Sequence, residues 1–327
     1  APEKSSIDKM TMPRNGAVRI RTIAITQSTA FPLISSFIRA LYNFDLEDIK
    51  GIGDWADGSF DGLLVKGELM IQRGEFFESM NLFNTILSMK NVPQEVNFIA
   101  NIGKIKSLHG LNKIEDMREL INYLKKTIDN KLAIAYIKEI EADILSMRGN
   151  YKEAEVLFKS SIKTFHHYNY QILLCISYGN YGILLFNMAR YDDAEKAWIQ
   201  AKKFAIESNN SLLAANVNPN LASIMRIKKD FNKSEKLLKE AENIFKELNN
   251  LEKLSNVEFN RSLLLLSMGQ LIESFHLFEK SLNDTYPLIP ESMKGERINI
   301  YKRELENIKY TLNQNGQKIE LVYNGDS

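Results

Sequence analysis

The chain has little of what catalysis, metal binding or a membrane would require. Among 327 residues there is one cysteine, Cys175, and there are four histidines, His109, His166, His167 and His276. A single thiol excludes an internal disulfide and a multi-thiolate metal site, and it suits a reducing compartment. The histidines form no His-x-x-x-His pair, and adjacent His166 and His167 point about 100° apart on a helix, so no metal site is expected. The nucleophile-elbow, phosphate-loop and dinucleotide glycine motifs are all missing. Gly-Ile-Gly-Asp-Trp at 51–55 lacks a third glycine and a preceding strand, and reads as a turn. Neither an enzyme nor a cofactor is expected. A net charge of +1 gives no strong pull toward nucleic acid or membrane. No run of about 18 apolar residues occurs, and the segment TIAITQSTAFPLISSFIRALY is interrupted by Gln27, Ser28 and Arg39. With 44% hydrophobic and 25% charged residues, the composition is that of a foldable, soluble chain, read as cytoplasmic. A first residue Ala1 points to a fragment or a processed form.

What the chain does have is a period. In YGNYGILLFNMARYDDAEKAWIQA, Tyr178 to Ala201, an apolar run with Gly182 meets a turn near Ala189 and Arg190. Tyr191, Ala194, Trp198 and Ala201 then recur at three- and four-residue steps, one face of a second helix. The same columns return elsewhere. They are Gly67, Gly74, Phe76, Ser79 and Phe83, then Ala142, Gly149, Tyr151, Ala154 and Phe158. They recur as Ala222, Lys229, Phe231, Ser234 and Leu238, and as Ser262, Gly269, Leu271, Ser274 and Phe278. A weaker copy supplies Gly103 and Gly110 and then slips register. The turns fall at 74, 110, 149, 189, 229 and 269. The small residue of the first helix admits the second helix, and the turn glycine ends the first helix in a left-handed conformation. A hairpin this short leaves an apolar face bare, which only the next hairpin can cover, so the units stack as a solenoid.

These residues resemble the tetratricopeptide repeat family in a 40-residue variety, over six units from Phe60 to about Tyr286. The fold expected is all-α, a right-handed superhelical α-solenoid of about six helical hairpins with a C-terminal capping helix. Units are expected at about 60–94, 95–134, 135–174, 175–214, 215–254 and 255–286, within a solenoid spanning 56–286. The cap and tail occupy 287–327, the helix opening at Pro290 and Glu291 and ending near Asn315 and Gly316. Residues 1–55 do not fit the repeat and are read as an N-terminal helical extension. Parts of it loosely resemble a helix-turn-helix domain whose recognition helix is missing.

In this family the first helices line the concave surface. Two positions before the small residue, four units carry asparagine: Asn101, Asn180, Asn220 and Asn260. Asparagine is a poor helix-interior residue, and its amide both donates and accepts, which suits the backbone of an extended peptide. An amide in this column can equally bond between repeats. Flanking candidates are charged at Lys104 and Asp143 and apolar at Ile183, Phe186, Phe259 and Leu263, so the groove becomes more apolar toward its C-terminal half. Arg226 is a further cationic candidate. Pro219, beside Asn220, either kinks its helix or restarts it with Asn218 as cap. The asparagine-lined 40-residue repeats look like the intracellular peptide-pheromone receptors of Gram-positive bacteria. That resemblance implies a non-enzymatic regulator, of transcription or signalling, holding a short peptide or a partner segment in the groove. The alternative is a constitutive scaffold, or the sensor arm of a larger signalling protein. No membrane partner is expected, DNA only through an upstream or N-terminal DNA-binding domain, and a homodimer stays open.

Overall fold

The computed structural model describes residues 60–285, apart from 73, 248 and 249, together with 303, 305–310, 313 and 314. The extension over 1–55, its helix-turn-helix likeness, the turn at 51–55 and the tail at 317–327 lie outside these residues. The described part is six helical hairpins. The first two are α1 (Phe60–Gln72) with α2 (Phe76–Ser88), and α3 (Gln94–Gly110) with α4 (Ile114–Thr127). Next come α5 (Lys131–Met147) with α6 (Tyr151–His167), and α7 (Gln171–Asn187) with α8 (Tyr191–Glu207). The last two are α9 (Ser211–Ile227) with α10 (Phe231–Glu247), and α11 (Leu251–Ser267) with α12 (Leu271–Thr285). Each helix packs on the next in an α-solenoid of the tetratricopeptide type, and no strand occurs among the described residues.

From α5 onward the 40-residue unit is two equal halves. Helices begin at 131, 151, 171, 191, 211, 231, 251 and 271, and all but the last hold 17 residues followed by a three-residue turn. Every turn closes in the same way. The N–H of Asn150 donates to Leu145 O at 2.9 Å, Arg190 to Leu185 O at 2.9 Å, and Asp230 to Met225 O at 2.9 Å. Tyr170, Asn210, Asn250 and Gln270 repeat this five-residue reach. It is the Schellman closure, which needs a left-handed residue at its centre. That residue is Gly149 or Gly269 where the sequence has glycine, but Ala189 (φ 57°) and Lys229 (φ 62°) hold the same conformation. A side chain in that region is strained by about 1 kcal/mol or more. Lys229→Gly and Ala189→Gly are each expected to stabilise the fold by roughly 0.5–1 kcal/mol, read as a raised urea midpoint.

Small residues set the closeness of each pair. A Cβ at Gly182 would lie 2.5 Å from Trp198 Cδ1, and one at Gly67 would lie 2.5 Å from Phe83 Cζ. Twelve residues after the small position, in every unit but the second, the second helix brings a serine or alanine to the crossing. Where it is serine, the hydroxyl donates to the opposing carbonyl: Ser79 to Gly67 O at 2.9 Å, Ser234 to Ala222 O at 2.9 Å, Ser274 to Ser262 O at 2.7 Å. All three serines are buried, so each bond satisfies a polar group that burial would otherwise strand.

The second unit departs from the rest. The sequence puts its turn at Gly110, but Gly110 closes α3 and the left-handed residue is Asn112 (φ 56°). The reason is packing: a Cβ at Gly110 would run into the ring of Phe76 on α2. With α4 only 14 residues long, a cleft of about 500 Å³ opens among α2, α3 and α4, bordered by Met80, Leu108, Leu120 and Tyr123. At the other end, Leu305 and Ile308 bury themselves with Phe275, Phe278 and Leu282, so the described part of the C-terminal segment covers the last hairpin.

Neighbouring units are also tied by a column of glutamates at 40-residue steps. Glu155 takes both oxygens to Arg190 at 3.0 Å, Glu195 meets Lys228 at 2.6 Å, and Glu235 meets Arg261 at 3.0 Å. Tyr181 and Lys159 add bonds to Glu155. Burial works to raise the Glu155 carboxyl, yet these donors outweigh it and hold the group down to about 2.

Candidate functional site

The first helices α1, α3, α5, α7, α9 and α11 carry the residues that the sequence singles out, and their amides divide into two kinds. Asn101 on α3 is buried and turns back on its own helix, its Nδ2 donating to Asn97 O at 2.8 Å and Asn97 Oδ1 at 3.0 Å. Asn260 on α11 does likewise, donating to Asn256 O at 2.8 Å, and its Oδ1 accepts from Ser223 Oγ of α9 at 3.0 Å. In both helices another asparagine sits one turn earlier. The same spacing recurs in α9, where Asn216 precedes Asn220, yet there the amides do not turn back. Both are half-buried, and among the described residues nothing pairs with either. In α7 the earlier position is Ile176, and the amide of Asn180 serves another helix. Its Nδ2 crosses to α5 and donates to Glu139 Oε1 at 3.0 Å, while among the described residues nothing donates to its Oδ1.

Two glycines of α7 make a similar contrast. Gly182 is packed against Trp198, whereas a Cβ at Gly179 would meet nothing within 4 Å. A helix-interior glycine costs about 1 kcal/mol against alanine, and no neighbour requires one at 179. Its carbonyl is held by Trp198 Nε1–H at 3.0 Å. Ile183, one turn further, is 44% exposed. The other apolar candidates are less free. Phe186 packs on Tyr191 and Trp198 with ring centres 5.2 and 5.8 Å away. Phe259 lies 5.1 Å from Phe278, and with Leu263 it joins the cluster that holds Leu305 and Ile308.

Pro219 lies inside a continuous α9, so the restart with Asn218 as cap does not occur. Asn218 is buried in the helix and donates to Glu240 Oε2 at 3.3 Å. Proline still removes the N–H that would have served the carbonyl of Ala215. Arg226 is half-buried and reaches Ser267 Oγ on α11 at 3.3 Å, and burial lowers its affinity for the proton.

The polar end was only partly legible. Asp143 lies on α5 as expected, but Lys104 lines the cleft toward α2 and α4. Two residues along a helix is a rotation of about 200°, and it is Lys106 that serves the first-helix face. Lys106 Nζ binds Glu68 Oε1 of α1 at 2.8 Å. Beyond it lies Glu139, only 4% exposed, one turn before Asp143. Burial, and then the charge of Asp143, push the Glu139 carboxyl up to about 8, while the Asn180 bond and Lys106 pull it back. Burial lifts Asp143 to about 6, opposed by Lys106. The Tyr136 phenol, its ring 6.4 Å from that of Phe98, is raised by burial and by Glu139 and Glu68. Sequence reasoning missed Glu68, Lys106, Tyr136, Glu139, Asn216 and Gly179. A signal for Gly179 was present, since a mid-helix glycine outside the repeat columns has no packing reason. No group of three metal-ligating side chains occurs among the described residues, and no described helix is long and apolar enough to cross a membrane.

No protein-family model matches the chain, and no curated protein matches it. Among solved structures it is similar to a Rap protein complexed with Competence and Sporulation Factor. The identity is 11% and the TM-score 0.59, over 79% of this chain and 72% of that one. It is also similar to a signal transduction ATPase with numerous domains, bearing a tetratricopeptide repeat sensor, from Pyrococcus horikoshii. There the identity is 11% and the TM-score 0.58, over 87% of this chain and 47% of that one. The chain therefore spans about half the length of that ATPase. At such identities the likeness shows the fold: tetratricopeptide-type hairpins in a solenoid.

Proposed function

We propose that the chain is a non-enzymatic binding solenoid, a regulator that holds an extended peptide or partner segment across the first helices α7 and α9. One observation carries this reading. Asn180 Oδ1 and the whole amides of Asn216 and Asn220 have no partner among the described residues, and Gly179, beside Asn180, has open space above it. Helix-interior asparagine and glycine both work against helix stability, so a helix that keeps them without internal partners gains from what lies outside. An amide accepts from a backbone N–H and donates to a backbone carbonyl, and a bare glycine lets that backbone come close. Ile183 supplies an apolar contact, and it is 44% exposed. A Rap protein of this fold holds the Competence and Sporulation Factor, which supports a bound partner. The cover of 87% of this chain by an ATPase with a repeat sensor supports the second reading, a sensor arm of a larger signalling protein.

The test is a random heptapeptide library selected on the purified chain, with the enriched peptide as probe. Asn180→Ala and Asn220→Ala are each expected to weaken its binding by about 1–3 kcal/mol, because each loss strands backbone groups of the peptide. Asn101→Ala and Asn260→Ala, whose amides are bound internally, should leave the affinity nearly unchanged. Failure to enrich any peptide, or losses that follow 101 and 260 instead, would overturn the reading.

A further inference from the structure

Glu139 is out of place for a side chain with no structural ion pair. It is nearly inaccessible, it sits one turn from Asp143 on the same helix, and its hydrogen bond is to a neutral amide on α7. The groups around it come from four helices. From α1 there is Glu68, from α3 Lys106, from α5 Tyr136 and Asp143, and from α7 Asn180. If all the carboxyls ionise, three negative charges stand around one ammonium, which is already bound to Glu68. Like charges one helical turn apart repel even on a surface, and burial removes the water that would screen them.

We propose that the seam where α5 meets α3 and α7 is a proton-sensitive joint, closed while Glu139 is protonated and loosened as it ionises beside Asp143. Two influences oppose the loosening. The amide of Asn180 and the ammonium of Lys106 both favour the carboxylate. They do not win, because burial and the Asp143 charge hold the Glu139 proton to about pH 8. The consequence for stability has a definite sign. A carboxyl bound to its proton more tightly in the folded chain stabilises the fold fully below its unfolded value, about 4.3, and that contribution is lost as pH rises. For Glu139 the loss runs up through about 8, and for Asp143 up through about 6. The Asp143 interval ends on the acid side, whereas that of Glu139 crosses neutrality, so the joint responds through Glu139 in the range where cells work. Ionised Glu139 must recover water, and water reaches it only if α5 moves from its neighbours. Because Asn180 hangs from the same joint, the amide offered to a ligand would be repositioned at the same time.

This concerns the face argued above, but its test needs no ligand, so either reading can fail alone. Hydrogen exchange of the full chain, corrected for intrinsic rates, is followed by mass spectrometry from pH 5.5 to 8.5. Protection in 131–147 and 171–187 is expected to fall by at least about tenfold across that range, against little change in 211–247. In Glu139→Gln the fall should shrink to less than about threefold, since an amide has no proton to lose. Asp143→Asn, a second variant should the first be too unstable, removes the like charge and should move the Glu139 transition to lower pH. A flat profile in the unaltered chain, a fall shared equally by all helices, or a fall that survives unchanged in the variants would overturn the proposal.

Discussion

Gly182→Val is expected to lower the stability of the solenoid by about 3 kcal/mol or more, the range in which an overpacked core also displaces a large aromatic side chain. The obstacle is rigid. The atoms that a new Cβ would meet are Nε1, Cδ1 and Cε2 of the Trp198 indole, none of which can rotate aside independently of the ring. The ring is 2% exposed, and its N–H is bound to Gly179 O at 3.0 Å. Moving it would break that bond and disturb Phe186, whose ring centre lies 5.8 Å away. A control lies three residues earlier. Gly179→Ala meets open space and should stabilise the chain by roughly 0.5–1 kcal/mol through helix propensity alone. Urea unfolding followed by circular dichroism distinguishes the two. Equal losses at both positions would mean that α7 does not tolerate a side chain on either face, contrary to the packing described.

These two glycines also show what was legible in the sequence. Gly182 is readable because its partner, Trp198, follows at a distance that other units repeat, so comparing the chain with itself exposes the pair. The same comparison reveals the left-handed turn positions at Ala189 and Lys229, where residue identity alone would not. It failed at Gly110, because a glycine kept for packing against Phe76 sits two residues from a left-handed turn at Asn112 and imitates it. The glutamates at 155, 195 and 235 keep the 40-residue step, but Arg190, Lys228 and Arg261 come from different columns, so no repeat alignment pairs them. The asparagine column was visible, but the difference between its members was only half so. Ile176 precedes Asn180 by one turn, whereas Asn97 and Asn256 precede Asn101 and Asn260, so Asn180 stands apart on sequence. Asn216 precedes Asn220 in the same way, and by that cue α9 would fall with α3 and α11. The structure decides otherwise, since Asn220 makes no bond back to Asn216, and residue spacing alone does not show this. Glu139 was not legible. Within KEIEAD it reads as one more charge on a solvated helix, and only the placement of α3 and α7 around it makes it buried. Charge on a helix shows its sign in sequence, but its burial is decided by the neighbours.

Phe83→Ala carries the other large effect, and its expected result is local. Phe83 is 1% exposed and stands over two glycines on different helices, Gly67 of α1 and Gly103 of α3. Truncating a buried phenylalanine costs about 3–5 kcal/mol, and the cost rises with the volume that cannot collapse. Here collapse is poor, since both walls facing the ring are glycine and have no side chain to move into the space. The ring is also the joint between the first and second hairpins. In a stack where each unit touches only its neighbours, such a loss stays near its site instead of spreading along the array. Exchange protection should therefore vanish over 60–88 and weaken over 94–127, while 171–247 keeps its native protection. Heating should show an early transition for the N-terminal hairpins, separate from that of the regular 20-residue halves beyond them. Phe83→Leu, which fills part of the gap, should recover a good share of the lost protection. A single transition displaced as a whole would instead mean that the six hairpins melt as one unit, and the nearest-neighbour account of this solenoid would have to be given up.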